Sequence, residues 1–238
     1  MPSYHNALSD RLVICHFSSQ SVFTVYNKDL AQKWQVVASN SELPTELKDS
    51  IFSETSLIRV GDQFTLAPLA EENYSPYFSI NFGANHTIAT QDSELFTVVY
   101  KNTDIAYANK LVGARLTTDV DVFYRYADQK NYPNALYFYQ INDQVTILAW
   151  KDGKFMLANR YASDNEDELF YYVMLVVEQL ELPAGDIHFS MVGSKEMHSN
   201  YHALFKNYLA PLHLSNEGTQ IGSSEHEELA NFMGTCVL

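Results

Sequence analysis

Apolar positions fall in short runs along most of the chain and in one long run. Ser163 to Leu182 reads SDNEDELFYYVMLVVEQLEL, polar and acidic at first and then apolar up to Pro183. Ser163 and Glu166 have the spacing of a capping box, in which each side chain satisfies an orphan backbone donor. Asp164, Glu166, Asp167 and Glu168 place negative charge where a helix dipole is positive. Pro183 and Gly185 stand where a helix stops. No turn between Leu169 and Val177 offers a clean polar face, so the pattern predicts a helix buried on all sides. It is too short and too acidic at its flanks to span a membrane.

Before it, RLVICHF (Arg11 to Phe17), VFTVY (Val22 to Tyr26) and KWQVVA (Lys33 to Ala38) predict a three-strand antiparallel meander. A short helix is expected over Leu43 to Phe52, with Pro44 in its first turn. Strands are expected at Leu57 to Val60, Gln63 to Leu66, His86 to Thr90 and Leu95 to Tyr100. Ala70 to Phe82 reads as a helix interrupted by Pro76. Asp104 to Val112 reads as a helix capped by Thr103, Arg115 to Thr117 as a short extended piece, and Asp119 to Lys130 as a helix. Asn131 to Asn134, with Pro133, reads as a linker. The opening pattern then returns as ALYFYQI (Ala135 to Ile141), QVTILAW (Gln144 to Trp150) and Lys154 to Tyr161, with Asp152-Gly153 as a hairpin dipeptide. The long helix, a strand at Ile187 to Val192, a helix at Ser199 to Tyr208, a strand at Ala210 to Leu214 and a helix at Glu225 to Met233 complete the chain.

The same unit therefore occurs twice: three meander strands, a helix and a strand. The expected fold class is α/β, two tandem ribonuclease-H-like β-β-β-α-β domains in actin-like arrangement, over residues 1–132 and 133–238. The fragments FTLAPLAEENYSPYFSINFG, ELFYYVMLVVEQLEL and IHFSMVGS resemble an uncharacterised Bacteroidetes family, domain of unknown function 3822, from about Leu12 to Leu214. The resemblance implies an actin-like ATPase fold.

Charge and cysteines narrow the partners. The 238 residues carry 29 acidic and 15 basic side chains, a net charge of −14. Nucleic-acid binding rests on neutralising phosphates with Lys and Arg, so no nucleic-acid partner is expected. No apolar run is long enough for membrane insertion, and the first residues lack the pattern of a signal peptide. Cys15 reads as a small core residue, Cys236 lies near the end, and the expected location is a reducing cytoplasm.

Candidate chemistry follows from the resemblance. An actin-like ATPase cradles phosphates in its two meander hairpins, usually with Asp-x-Gly, where glycine lets backbone amides approach the anion. The matching turns are Ser18 to Ser21 and Asn142-Asp143-Gln144, and neither contains glycine. A nucleotide would be held by Ser18, Ser19, Asn142, Asp143, Gly193 and Ser194. The expectation is a non-catalytic protein with no cofactor, and the alternative is an ATP-Mg binding protein or weak ATPase with degenerate loops. The first strands carry no carboxylates for two-metal nuclease chemistry; Asp10 and Asp143 lie at strand ends. His198 and His202 share a helical face near Glu196, without HExxH or a third ligand. Cys15 and His16 point to opposite faces of a strand. No catalytic residue and no metal ligand is assigned. A protein partner is expected, with Tyr126, Tyr132, Tyr139 and Tyr161, four of 16 tyrosines, as candidate contacts in the interdomain cleft, because tyrosine combines apolar area with a polar tip.

Overall fold

The computed structural model describes residues 9–48, 50–84, 86–111, 113–183, 185–193, 195–209, 213–216 and 224–238. By contact the chain forms two compact units. One runs to Val122 and takes in Met233–Leu238, and the other is Phe123–Phe232.

The first unit opens with β1 (Arg11–His16), β2 (Gln20–Tyr26), β3 (Gln32–Ser39) and β4 (Glu54–Arg59). An insertion follows: β5 (Phe64–Ala67), α1 (Ser75–Phe82), β6 (Ile88–Asp92) and β7 (Thr97–Lys101). Then come β8 (Arg115–Thr118) and α2 (Asp119–Lys130), whose residues from Phe123 onward belong to the second unit. The main sheet has the order β3-β2-β1-β4-β8, and the insertion has its own sheet, β5-β7-β6. β1 is antiparallel to β2 and parallel to β4. Its residues Leu12 to Cys15 are all buried, as a central strand packed on both faces must be.

The second unit repeats the plan with β9 (Ala135–Ile141), β10 (Gln144–Lys151), β11 (Lys154–Ala162), α3 (Glu166–Gln179), β12 (His188–Val192), α4 (Lys195–Phe205), β13 (His213–Asn216) and α5 (Glu225–Val237), whose residues from Met233 onward belong to the first unit. Its sheet order, β11-β10-β9-β12-β13, is the first order over again. The registers match as well: Ile14 pairs with Phe23 and Leu57, and Phe138 with Ile147 and Met191. The duplicated ribonuclease-H-like unit is thus present in backbone and in register.

The repeats differ where helices were expected. Among the described residues of Leu43 to Phe52 the chain makes only the 3-10 turn Thr45–Leu47, where the second unit has α3 between its third and fourth strands. Of Asp104 to Val112, Val112 lies outside the described residues and the rest makes only the 3-10 turn Ala108–Lys110. Ile105 and Tyr107, two apart, are both buried in the core with Leu12, Ile14, Phe23, Val25 and Leu57; an α-helix would turn such positions apart. Pro76 starts α1 instead of interrupting it, as its missing N–H allows in a first turn.

The long helix is shorter and more exposed than its sequence implies. It is capped by Asn165, not Ser163: Asn165 Oδ1 accepts from Glu168 N at 2.9 Å, and Glu168 Oε2 accepts from Asp164 N at 2.8 Å. Leu169, Val173, Val176 and Val177 pack against Leu136, Phe138, Val145 and Ile147, whereas Tyr171 is 60% exposed. Aromatic residues on the outer turn imitated a second buried face. Among the described residues no helix is long and apolar enough to cross a membrane.

Candidate functional site

The first meander hairpin joins β1 to β2, closed by Phe17 N donating to Gln20 O at 2.9 Å. Ser18 and Ser19 form its exposed tip. Beneath them lies a polar network. His16 Nδ1 is 2.9 Å from Ser21 Oγ and 3.0 Å from the Tyr107 hydroxyl, which lies 2.6 Å from Ser21 Oγ. Ser21 Oγ donates to Asn40 Oδ1 at 2.6 Å, and Asn40 Nδ2 donates to Phe17 O at 2.7 Å and Ser18 O at 3.1 Å. Burial, and then the charge of Arg59 opposite it in the ladder, lower the His16 pKa to about 4. Burial pushes Tyr107 up to about 12, partly offset by the bond with Ser21. At neutral pH the network therefore carries no charge. Ser21 and His16 resemble a nucleophile and base, but Ser21 is buried and gives its proton to Asn40, and the imidazole is a poor base.

Charge in this unit is held nearby and is internally satisfied. The buried Arg59 meets Asp62 at 2.6 Å, donates to Thr103 O at 2.9 Å and lies over the Tyr100 ring. Asp119 accepts from Gly61 N at 3.1 Å, and Asp121 accepts from Gln91 and Thr117 at 3.0 Å each. The sequence reading missed this set. Its one signal was polar residues inside apolar runs, Arg59 in SLIRV and Asp121 in DVDVF. Buried Cys15 has its thiol pKa pushed up by burial, with Asp119 adding to the effect.

The second hairpin joins β9 to β10 through exposed Asn142 and Asp143, with Asn142 at φ 53°. Gln140 Nε2 donates to Asn142 O at 3.1 Å, and Asp143 O accepts from Ser163 N at 2.7 Å. Gly193 follows β12. A Cβ there would lie 2.9 Å from Met191 Cε and 3.3 Å from Met197 Sδ, the flexible ends of two methionines. Its carbonyl accepts from Asn216 Nδ2 at 3.0 Å. Ser194 lies outside the described residues.

A cavity of about 560 Å³ lies beside this hairpin, lined by Gln140, Asp164, Asn165, Glu166, Asp167, Met197 and Tyr201. It sits at the carboxyl end of β9 and the start of α3, the edge at which α/β sheets take ligands. Its chemistry opposes an anion. Three carboxylates line it, the Glu168 amide at the α3 start is taken by Asn165, and Tyr201 donates to Gln140. Among the described residues no group of three His, Cys, Asp or Glu side chains is placed to hold a metal ion. His198 instead contacts Leu214 O through Nε2 at 3.1 Å.

The four tyrosines divide between the two faces of the second sheet. Tyr139 is 1% exposed and stacks on Phe123 at 3.8 Å. Half-buried Tyr126 sets its ring against Tyr137 and Phe232, and Tyr132 stacks on His188 at 3.8 Å. These three share the face opposite Leu136 and Phe138. Tyr161 stacks on Tyr172 and packs on the α3 side.

Residues 5–212 match the family described as Protein of unknown function (DUF3822). The chain belongs to this family. No curated protein matches it. A Bacteroides thetaiotaomicron protein, described as having an actin-like ATPase fold and unknown function, superposes with a TM-score of 0.79 at 14% identity, over 100% of this chain and 99% of that one. The PilM-PilN type IV pilus biogenesis complex matches at a TM-score of 0.54 and 10% identity, over 95% of this chain and 97% of that one. The family member described here thus has the actin-like fold, as two five-stranded sheets of one topology.

Proposed function

We propose that this chain is a non-catalytic, cytoplasmic protein-contact module that keeps the actin-like scaffold without its nucleotide chemistry. The observation that carries the reading is the first hairpin. Asn40 occupies two of its carbonyls, Ser21 and Tyr107 below it are buried and bonded to each other, and the half-buried His16 is held neutral. A polyphosphate needs amide donors, cations or a metal pointed at it. The acidic cavity by the second hairpin adds repulsion. The PilM-PilN complex is a case in which a protein of similar fold is named for its assembly with another. Cys15 and Cys236 stand outside any disulfide, which suits a reducing compartment.

The second reading is ATP binding. It is favoured by the actin-like ATPase fold of the Bacteroides neighbour. A thermal-shift titration with Mg-ATP separates the two, because a ligand that binds only the native state raises the melting temperature. The contact reading predicts no shift at millimolar Mg-ATP. A saturable rise of several degrees selects ATP binding.

A further inference from the structure

The second sheet ends at β11, and no described strand pairs with its outer edge. With nine residues it is the longest described strand, and Met156, Asn159 and Ala162 are exposed along it. An open edge is commonly guarded by proline or lysine. Leu157 to Ala162 holds neither. Its one charge, Arg160, is used within the sheet, where it donates to Thr146 Oγ1 at 2.8 Å and to the Tyr139 hydroxyl at 3.4 Å.

On the α3 side this edge carries rings that the fold does not require. Tyr161 stacks on Tyr172 at 4.5 Å, and Tyr172 meets Tyr171 at 5.3 Å. The rings run from the strand outward to Tyr171, which is 60% exposed. In the first repeat the ladder position of Tyr161 is held by Ala38. Tyr161 pairs with Val145, two residues before Ile147, and Ala38 pairs with Ser21, two residues before Phe23. The same sheet is therefore built elsewhere in the chain with a methyl group at that place.

The charge beside these rings has one sign. Every residue from Lys154 to Pro183 is described, and α3 carries Glu166, Asp167, Glu168 and Glu178 with neither Lys nor Arg. Asp167 and Glu168 lie one turn before Tyr171 and Tyr172, so each ring has a carboxylate on its own helical face. Lys154 stands at the far end of β11, about 24 Å along the strand from Tyr161. α4 packs on the opposite flank of α3, through Phe170 against Phe205.

We propose that the open edge of β11 takes an extended, arginine-bearing segment of a partner protein by strand addition, with its arginines laid against Tyr161, Tyr172 and Tyr171. The proposal rests on the protein-contact reading and names the partner's chemistry. In strand addition main-chain bonds supply affinity and alternate side chains supply selectivity. Every second side chain of the added strand faces α3. There a guanidinium stacks on a tyrosine ring and bonds a carboxylate with its planar fork of donors, which an ammonium cannot match. The ring and the carboxylate that this needs stand together on two faces of α3, as Asp167 with Tyr171 and Glu168 with Tyr172.

The test uses the full chain and labelled synthetic peptides of about 12 residues, long enough to cover β11. One alternates Val with Arg and the other Val with Lys. A protein of net charge −14 attracts both non-specifically, so preference for arginine reports the edge. Fluorescence anisotropy is expected to give the Arg peptide about tenfold tighter binding than the Lys peptide. Tyr171→Ala and the double variant Asp167→Asn/Glu168→Gln are each expected to remove this preference. The double variant keeps a side-chain oxygen for the Asp164 amide that Glu168 Oε2 serves. Glu72→Gln/Glu94→Gln, the same charge change at exposed residues of the insertion, leaves the preference intact. Two further Arg peptides are N-methylated at every Val or at every Arg. Amides of alternate residues point to opposite sides of a strand, so one of the two is expected to bind and the other not. Equal binding of the Arg and Lys peptides, no binding of either, indifference to Tyr171→Ala, or one response to both methylated peptides overturns the proposal. So does a dimer of the chain that Tyr171→Ala dissolves, which would seat a second copy on the edge. Mg-ATP is titrated in parallel. A nucleotide shift with the arginine preference intact removes the nucleotide-free reading and leaves the edge, and the converse result removes the edge alone.

Discussion

His16, Ser21, Asn40 and Tyr107 decide what the first hairpin is able to hold, and their bonds carry measurable consequences. The native His16 pKa is lowered to about 4 by burial and by Arg59, against about 6.5 in an unfolded chain. The unfolded chain therefore takes up a proton first as pH falls. The His16 contribution to stability is whole above about pH 6.5 and is lost progressively toward pH 4. His16→Gln is expected to flatten the fall of melting temperature between pH 6.5 and 4 relative to the parent. A variant with the parent's slope would place the imidazole in solvent. Tyr107→Phe leaves His16 and Ser21 each short of a partner and is expected to cost about 1 to 3 kcal/mol in chemical denaturation. These partners were not legible in the sequence. Tyr107 is 91 residues from His16, and no local pattern links residues that only the folded sheet brings together.

At the scale of elements, α3 is the clearest object. Val173 and Val176 are fully buried, and Val173→Asp or Val176→Asp is expected to cost several kcal/mol, as an unpaired buried carboxylate does. Tyr171→Ala, on the exposed turn, is expected to stay within about 0.5 kcal/mol of the parent. Asn165→Ala removes the cap that Glu168 N uses and is expected to cost about 1 kcal/mol. Equilibrium urea curves of the four variants check the set, and similar costs at Val173 and Tyr171 would mean that the helix packs on both faces. The meander strands were readable because alternation and turn residues are local signals, and α2 because its apolar spacing and acidic first turn agree. The stretches from Leu43 to Phe52 and from Asp104 to Val112 misled for one reason. Leu43, Leu47, Ile105 and Tyr107 enter the core from turns and extended backbone, and composition alone does not distinguish that from a helix.

For the whole molecule, two sheets of one order and one register make the duplication a property of the backbone, and recurrence of the strand pattern made it visible in the sequence. The repeats also differ: among the described residues the connection from β3 to β4 holds a 3-10 turn where the second repeat has α3, and the first repeat carries an insertion with its own sheet. The candidate site was legible only in outline. The hairpins follow from strand pairing, whereas the Asn40 lock and the acidic lining beside Gln140 come from residues that fold in from other elements. Isothermal titration calorimetry of the full chain with Mg-ATP and Mg-ADP tests the central claim, an actin-like scaffold that holds no nucleotide, most directly. No heat beyond dilution is expected for either. A single-site isotherm with a Kd below about 100 μM, or about −5.5 kcal/mol of binding free energy, would contradict it.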